Sequence, residues 1–323
     1  MILRGTRQEL QVRVRLISTL GRQRGLNERI STMNKGLVIF DFDGTLTDAE
    51  REGAPFRGGY LADIATLTGW ELAEVEASAQ RVEREIAARP EAYGWLFQGQ
   101  IVAPATVDPY LRMMPVARRV LDEAGALMNP TDRERVLDGL LYKYNYQKTI
   151  EAFREGALSC LQALVEGETY VVTNSHTDAV QDKIRTLERE RLALGGEGPS
   201  LTPLIERVHG RAKKYIIDSE MSGVPEQLSL PGLDRPVLLR RRHYFEVLDQ
   251  LRAQAGVDWS AVWVFGDIFE LDLSLPIALG ARVGLMANAF TPQWELDYLK
   301  AHPRGYVLSS LSEAVELSGA LEA

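Results

Sequence analysis

The most informative segment of this sequence is Leu37-Val38-Ile39-Phe40-Asp41-Phe42-Asp43-Gly44-Thr45-Leu46-Thr47. It opens with four consecutive apolar residues, the pattern of a short strand that is covered on both faces. Two carboxylates, a glycine and a threonine follow directly. In an open parallel sheet, ligands bind outside the carboxyl ends of the strands. The segment therefore predicts a buried strand with a polar site at its end.

Four further apolar runs extend this pattern along the chain. They cover residues 169–173, 261–265, 281–286 and 305–308, and polar or helical segments follow them. This alternation of strands and helices predicts an α/β fold, a doubly wound, Rossmann-like parallel sheet. The chain has the length for two domains.

Residues 49–165 interrupt the alternation. Apolar residues at spacings of three and four predict a helix over 72–86, and similar patterns predict helices near 116–127 and 136–144. We therefore expect a mostly helical cap inserted after the first strand. The predicted divisions are a basic N-terminal extension (1–34), a core formed by 35–48 and 166–323, and a helical cap (49–165).

Charge and cysteine content bear on partners and location. The net charge of −8 argues against nucleic acid as the main partner, and no apolar run approaches the roughly 20 residues of a membrane helix. The single cysteine, Cys160, suits a reducing cytoplasm. Residues 1–32 carry seven arginines and two glutamates, a net charge of +5 that leaves −13 for the rest. This segment is open to three interpretations: a disordered or loosely docked extension, a targeting peptide, or sequence translated from an upstream start.

The carboxylates of Asp41 and Asp43 are the first candidates for chemistry. Residues two apart in a strand point the same way, so we expect both carboxylates in one site. At about 4 Å they would repel each other by about 4 kcal/mol at an effective dielectric constant near 20. A cation is therefore needed, and Mg²⁺ prefers such hard oxygen ligands. Gly44 allows the tight turn that follows.

This segment resembles the first motif, D-x-D-G-T, of the haloacid dehalogenase (HAD) superfamily of hydrolases. The resemblance implies that Asp41 is a nucleophile that forms an aspartyl-phosphate. It also implies that Asp43 is the general acid/base. Gly44 and Thr45 are candidates for binding the substrate.

Thr173-Asn174-Ser175 closes the next core strand and matches the second motif of the family. The resemblance implies that the Thr173 hydroxyl donates to the transferring phosphoryl group, and Asn174 is a further candidate for binding substrate. Ser175 and Asp178 form an S-x-x-D pattern that predicts a helix N-terminus. The backbone N–H groups of such a terminus suit an anion.

Gly266-Asp267-Ile268-Phe269-Glu270-Leu271-Asp272 follows another apolar strand and fits the acidic fourth motif. By this resemblance, Asp267 joins Asp41 and Asp43 as a metal ligand, and Asp272 completes the acidic set behind them. Glu270 competes with Asp272 for that role.

The third motif requires a basic residue near the nucleophile. Arg241 is our prediction, because it lies shortly before the fourth motif at an expected helix start. Its neighbours Arg240 and Arg242 are alternatives, as are Lys213 and Lys214 further upstream. Arginine binds phosphate well through its planar fork.

These features predict a Mg²⁺-dependent phosphatase that acts on a small phosphorylated metabolite, without a nucleic-acid or membrane partner. A phosphomutase and a dehalogenase are alternatives within the family, although Asp43 argues against dehalogenation. A catalytically silent binding protein ranks last, because every expected acidic position is filled. We expect the cap to supply specificity. The substrate, the oligomeric state and the role of the long segment 187–239 are not predicted.

Overall fold

The structure is a computed structural model that describes residues 36–145 and 152–319. The basic segment 1–34 lies outside these residues, and its three interpretations stay predictions. Within the described ranges, no helix combines the length and the apolar character needed to cross a membrane.

A six-stranded parallel sheet forms the centre of the core. Its strands are β1 (Leu37–Phe40), β4 (Glu168–Val172), β5 (Val208–His209), β8 (Val262–Gly266), β9 (Arg282–Met286) and β10 (Gly305–Leu308). They lie in the order β10-β9-β8-β1-β4-β5. β1 pairs in parallel with β4 on one side and with β8 on the other. The predicted doubly wound α/β fold is confirmed, with the apolar strand 37–40 between these two neighbours.

Helices cover both faces of this sheet. Along β1, Leu37 and Ile39 belong to one hydrophobic cluster, and Val38 and Phe40 belong to another. This division follows from the alternation of side chains along a strand. The core helices are α5 (Ala157–Leu164), α6 (Thr177–Ala193), α7 (Thr202–Glu206), α8 (Arg242–Ala255), α9 (Ser274–Leu279), α10 (Gln293–Ala301) and α11 (Leu311–Leu317). A 3₁₀ turn (Trp259–Ala261), a π-helical turn (Phe269–Leu273) and a hairpin of β6 (Gln227–Leu228) and β7 (Val237–Leu238) complete the core.

The insertion after β1 is mostly helical, as predicted. Its helices are α1 (Ala49–Thr68), α2 (Leu72–Ala87), α3 (Pro109–Ala124) and α4 (Pro130–Asn145). They share a hydrophobic cluster that is separate from the two clusters of the core. The insertion also contains a hairpin of β2 (Gly94–Phe97) and β3 (Gln100–Pro104), which the sequence analysis did not predict. We call it the cap hairpin.

The predicted cap boundary at residue 165 is wrong. Helix α5 packs in a core cluster through Cys160 and Leu161, so it belongs to the core. The two chain segments that join cap and core run side by side, with a bridge between Thr47 and Phe153 and a hydrogen bond from the Asp48 amide to the Ala152 carbonyl. The cap therefore ends before Ala152, and the apolar face of α5 explains its return to the core.

Candidate active site

Three of the predicted motifs meet at the carboxyl ends of neighbouring strands. Asp41 follows β1, Thr173 follows β4 and Asp267 follows β8. A cavity of about 580 Å³ opens there between core and cap. Its lining combines predicted core residues with cap residues: Asp41, Asp43, Thr173, Asn174, Asp267 and Asp272 from the core, and Trp95, Asp108 and Tyr110 from the cap.

Three carboxylates form a buried cluster at the base of this cavity. Asp41, Asp267 and Asp272 each place an oxygen within 4.8 Å of the others, and all three side chains are buried. Burial raises the pKa of Asp41 to about 7, with Lys214 opposing this effect and Asp272 adding to it. Burial, and then the charges of Asp272 and Asp41, raise the pKa of Asp267 well above its ordinary value. Ionisation of the carboxylates in this cluster therefore carries a high free-energy cost.

The basic residue beside Asp41 is Lys214. Its Nζ lies 2.6 Å from Asp41 Oδ1 and 2.8 Å from Asp272 Oδ1. The Lys214 side chain is buried, and the two carboxylates raise its pKa against the effect of burial. Lys214 was an alternative to Arg241, and it lies further upstream because the β6–β7 hairpin and helix α8 stand between it and β8.

The prediction of Arg241 for this position is wrong. The Arg241 side chain is fully buried, but its guanidinium donates to three backbone carbonyls, those of Leu238, Lys214 and Val102. The three remaining basic candidates do not contact Asp41 either. Arg242 pairs with Asp218, Arg240 donates to the Ser219 carbonyl, and Lys213 is exposed.

The carboxylate of Asp43 is not part of the acidic cluster, contrary to the prediction that it binds the metal with Asp41. Its Oδ2 accepts a hydrogen bond from Ser175 Oγ at 2.6 Å, and Lys183 Nζ lies 3.6 Å from its Oδ1. The reason is that the strand ends at Phe40. The amides of Thr45, Leu46 and Thr47 all donate to the Phe42 carbonyl, so the chain turns and strand alternation no longer applies.

The second motif contributes three side chains to the same region. Thr173 is buried, and its Oγ1 accepts from the Ser175 amide. Asn174 Oδ1 accepts from the Lys214 amide at 2.8 Å, so this residue supports the loop of residues 211–214, which we call the lysine loop. Ser175 does not cap the following helix, which begins at Thr177 with His176 in the cap position. Its hydroxyl is instead the partner of Asp43.

The turn after β1 lies against the fourth motif. Thr45 Oγ1 is 3.5 Å from both Asp41 Oδ2 and Asp267 Oδ1. Gly44 has a φ of 83°, and a Cβ at this position would lie 2.0 Å from Asp267 Oδ2. The glycine is therefore required both by its backbone conformation and by the close approach of Asp267.

Asp272, rather than Glu270, completes the acidic set. Asp272 also accepts from the Ile268 amide at 3.0 Å, which fixes its carboxylate. The Glu270 carboxylate lies outside this cluster and forms an ion pair with Arg235 through two hydrogen bonds. The Nε of the same arginine donates to the Pro90 carbonyl of the cap.

The donor set fits a divalent cation. Three buried carboxylates lie together and Lys214 pairs with two of them, Asp41 and Asp272, which leaves two negative charges when all four groups are ionised. Carboxylate oxygens are hard ligands of the kind that Mg²⁺ prefers. Asp41, Asp267 and Asp272 would hold the cation, and the Asp43 carboxylate lies outside this group.

Aromatic side chains of the cap hairpin lie against Tyr215, a residue that was not singled out from the sequence. Trp95 of the cap hairpin stacks on Tyr215 with 4.6 Å between ring centroids and 28° between ring planes. The ring of Phe97, in the same strand, is inclined by 65° to the Tyr215 ring, with 5.9 Å between the ring centroids. Tyr215 follows Lys214 directly, so the cap hairpin lies on the segment that carries the lysine. Gln98 and Gly99 both have positive φ, as a two-residue hairpin turn requires, and the glycine between two apolar runs is the trace of this turn in the sequence.

Comparison with known proteins gives similarity in structure alone. No family model matches the sequence, and no curated protein matches it. YfnB from Bacillus subtilis, a HAD hydrolase whose structure contains magnesium, is 16% identical with a TM-score of 0.45 over 88% of this chain and 99% of its own. A predicted phosphoglycolate phosphatase from Haemophilus somnus is 14% identical, with a TM-score of 0.48 over 89% and 100%. A 2-haloacid dehalogenase from Pseudomonas syringae is 16% identical, with a TM-score of 0.38 over 89% and 98%.

Proposed function

We propose that this chain, which has the fold of the HAD superfamily, is a Mg²⁺-dependent phosphatase that hydrolyses a small phosphate monoester through an aspartyl-phosphate. The observation that carries the proposal is the environment of Asp41. This carboxylate is buried at a strand end, 2.6 Å from Lys214, within an acidic cluster that fits a divalent cation.

Asp41 is the nucleophile of the first step. One of its carboxylate oxygens attacks phosphorus, and the bond between phosphorus and the alcohol oxygen breaks. Lys214 is bonded to Oδ1 of Asp41, so it orients the carboxylate and places positive charge beside the phosphoryl group. When bound, the cation neutralises the surplus charge of the cluster and of the phosphoryl oxygens.

Asp43 transfers the protons. It donates a proton to the leaving alcohol, and then accepts one from the water that attacks the aspartyl-phosphate at phosphorus. This step releases phosphate and restores Asp41. The location of the carboxylate supports this role, because its side chain is 42% exposed and lines the cavity outside the acidic cluster. Ser175 orients it through a 2.6 Å hydrogen bond.

Asp43 also favours ester hydrolysis over dehalogenation. An alkoxide leaving group needs a proton, whereas a halide does not. Thr173 and Asn174 line the same cavity and provide polar groups for the phosphoryl oxygens. The substrate is a small metabolite, because the cavity of about 580 Å³ lies in the range of small-molecule sites.

The test is phosphate release from a panel of phosphorylated metabolites. We expect release with Mg²⁺, none after chelation, and recovery when Mg²⁺ is restored. Asp41→Asn should be inactive under all conditions. Full activity of a rigorously metal-free sample, or of Asp41→Asn, would overturn the proposal.

A further inference from the structure

We propose that Arg241 is a positioning residue that holds Lys214 beside the nucleophile and makes this placement depend on the docked cap hairpin. The proposal rests on the proposed function, because it assigns Arg241 a role through Lys214. It differs from the role first expected of Arg241, which was to lie beside the nucleophile as the basic residue of the third motif.

The loop that carries Lys214 has an unfavourable backbone. Arg211 and Lys213 have φ values of 55° and 49°, in the left-handed region that residues with a Cβ rarely adopt. Such conformations persist only where the surroundings impose them. The contacts that hold the loop are therefore part of how Lys214 reaches Asp41.

Arg241 supplies one of these contacts. Its Nη1 donates to the Lys214 carbonyl at 2.5 Å, and its Nη2 donates to the Val102 carbonyl of β3 at 2.9 Å. Its Nε completes the set with the Leu238 carbonyl at 3.1 Å. The planar guanidinium therefore joins the lysine loop, the cap hairpin and the strand before α8 in one fixed geometry.

The burial of Arg241 argues against a purely stabilising role. The side chain is fully buried, and in the described part of the chain its hydrogen bonds go to neutral carbonyls. Burial lowers its pKa to about 10, which reflects the cost of a charge removed from water. Apolar residues of similar volume often stabilise a core as well as buried charges do. What an apolar residue cannot do is bridge three carbonyls.

A second contact joins the same two segments. The Tyr215 ring is packed by Trp95 at 4.6 Å and by Phe97 at 5.9 Å, both from β2 of the cap hairpin. The cap hairpin therefore holds Lys214 indirectly, through Arg241, and holds Tyr215 directly, through aromatic packing. Withdrawal of the hairpin removes the Val102 acceptor and the aromatic packing together. The lysine loop then relaxes, and Asp41 loses the oriented ammonium group of Lys214 until the cap hairpin docks again.

A double-mutant cycle tests whether Arg241 acts through Lys214. Arg241→Gln should lower kcat roughly 10–100-fold, the range for residues that orient a catalytic group. Arg241→Lys keeps the charge but lacks the fork, so it should not restore the rate. In a Lys214→Met background, Arg241→Gln should cost less than about 3-fold, because coupled residues are not additive. The same loss in both backgrounds would overturn the proposal.

Arg207→Gln is the matched control. Arg207 also donates to two carbonyls, those of Val165 and Gly167, but it lies away from the cavity lining. Its loss should change kcat less than about 2-fold, as for a surface substitution away from the site. A loss in Arg207→Gln as large as that in Arg241→Gln would mean that general destabilisation explains both.

Amide hydrogen exchange provides a readout that needs no turnover. The amides of Ala212 and Lys214 are bonded to Thr173 and Asn174. In Mg²⁺-free protein, Arg241→Gln and Trp95→Ala should each raise their exchange at least roughly 10-fold relative to Arg207→Gln. Unchanged exchange would overturn the coupling. If the wild type releases no phosphate from any ester, the proposed function fails, and the exchange result still decides the coupling.

Discussion

At the residue scale, Asp41 and Asp43 are two positions apart but occupy different environments. Asp41 is buried against Lys214, whereas the Asp43 side chain is 42% exposed and bonded to Ser175. Different surroundings give carboxylates different roles. The buried group suits attack on phosphorus, and the exposed group can exchange protons with solvent.

Substitution of each aspartate separates these roles. Asp41→Asn should abolish turnover, because the amide cannot form the aspartyl-phosphate. Asp43→Asn should slow turnover by roughly 10²–10⁴-fold, the range for lost general acid/base catalysis. Single-turnover measurements with an ester that has a good leaving group should recover much of the first step in Asp43→Asn. Near-normal activity of Asp41→Asn would show that the nucleophile is misassigned.

Gly44 provides a test of the packing between the first and fourth motifs. Gly44→Ala places a Cβ 2.0 Å from Asp267 Oδ2 at a φ of 83°, and we expect a loss of about 1–3 kcal/mol in stability from backbone strain alone. Gly58→Ala is the control, because it lies in α1 with no atom near the added Cβ. It should raise stability by about 0.5–1 kcal/mol. Denaturant unfolding measures both, and equal effects would contradict the role of Gly44.

The acidic residues of the site could be predicted, because Asp41 and Asp267 each follow an apolar strand directly. Lys214 could not be assigned uniquely, because it lies in an irregular loop whose backbone has no periodic signal. The direction of the Asp43 side chain was predicted wrongly for a related reason. Strand alternation was extended into a turn, and the chain reverses there.

At the element scale, the strands 37–40 and 305–308 match their predicted bounds, and the helix predicted over 72–86 forms Leu72–Ala87. These elements were predictable because each shows one regular pattern of apolar residues, a continuous run in the strands and spacings of three and four in the helix. The cap hairpin was missed because its strands are short and only partly buried. The long segment 187–239 was not understood, because the contacts of Lys214 and Arg235 in it are made with distant parts of the chain.

The first part of this long segment is organised by an ion pair. Glu188 accepts from Arg191 at 2.7 Å, from Ser200 at 2.8 Å and from the Leu201 amide at 3.0 Å. Arg191 in turn donates to the carbonyls of the glycine-rich loop that follows α6. The hydrogen bond from Arg191 is the main cause that lowers the pKa of Glu188 from 4.5 to about 2.

The stability of this loop should therefore depend on pH. Because the folded-state pKa is lowered, the contribution of Glu188 is complete above about pH 4.5 and is lost as the pH falls towards about 2. Glu188→Gln should melt below the wild type at pH 7, and the difference should shrink in that acidic range. The exposed Glu190→Gln on the same helix is the control and should show neither effect. A difference that stays constant down to pH 2.5 would contradict the role of the carboxylate.

At the scale of the whole molecule, the buried acidic cluster predicts that metal binding stabilises the fold. A cation that binds only the folded state stabilises it by about 2.7 kcal/mol at a concentration of 100 times Kd. Mg²⁺ should therefore raise the Tm of the wild type and should have little effect on Asp267→Asn. Asp258→Asn is the control, since Asp258 is exposed and lies outside the acidic cluster. An equal Mg²⁺ response in wild type and Asp267→Asn would place the metal elsewhere.

The division between core and cap leads to the last prediction. The residues proposed for chemistry all belong to the core, whereas Trp95, Asp108 and Tyr110 bring the cap to the cavity. The cap also has its own hydrophobic cluster, so its removal leaves the two core clusters intact. The paired linkers supply the cut points, because Asp48 and Ala152 are hydrogen bonded and a short turn can join them.

A variant in which such a turn replaces the residues between Asp48 and Ala152 should lose selectivity more than basal chemistry. Both rates should fall, because the cap excludes water and its hairpin supports the Lys214 loop. The specificity constant for the true substrate should fall further, since only this substrate makes contacts with the cap. We expect the ratio of kcat/KM for the true substrate to that for a small aryl phosphate to drop at least roughly tenfold, the size of a few lost pocket contacts. Cooperative unfolding and a retained Mg²⁺ response would establish that the core still folds. An unchanged ratio would place selectivity in the core, where the segment 187–239 is the next region to vary.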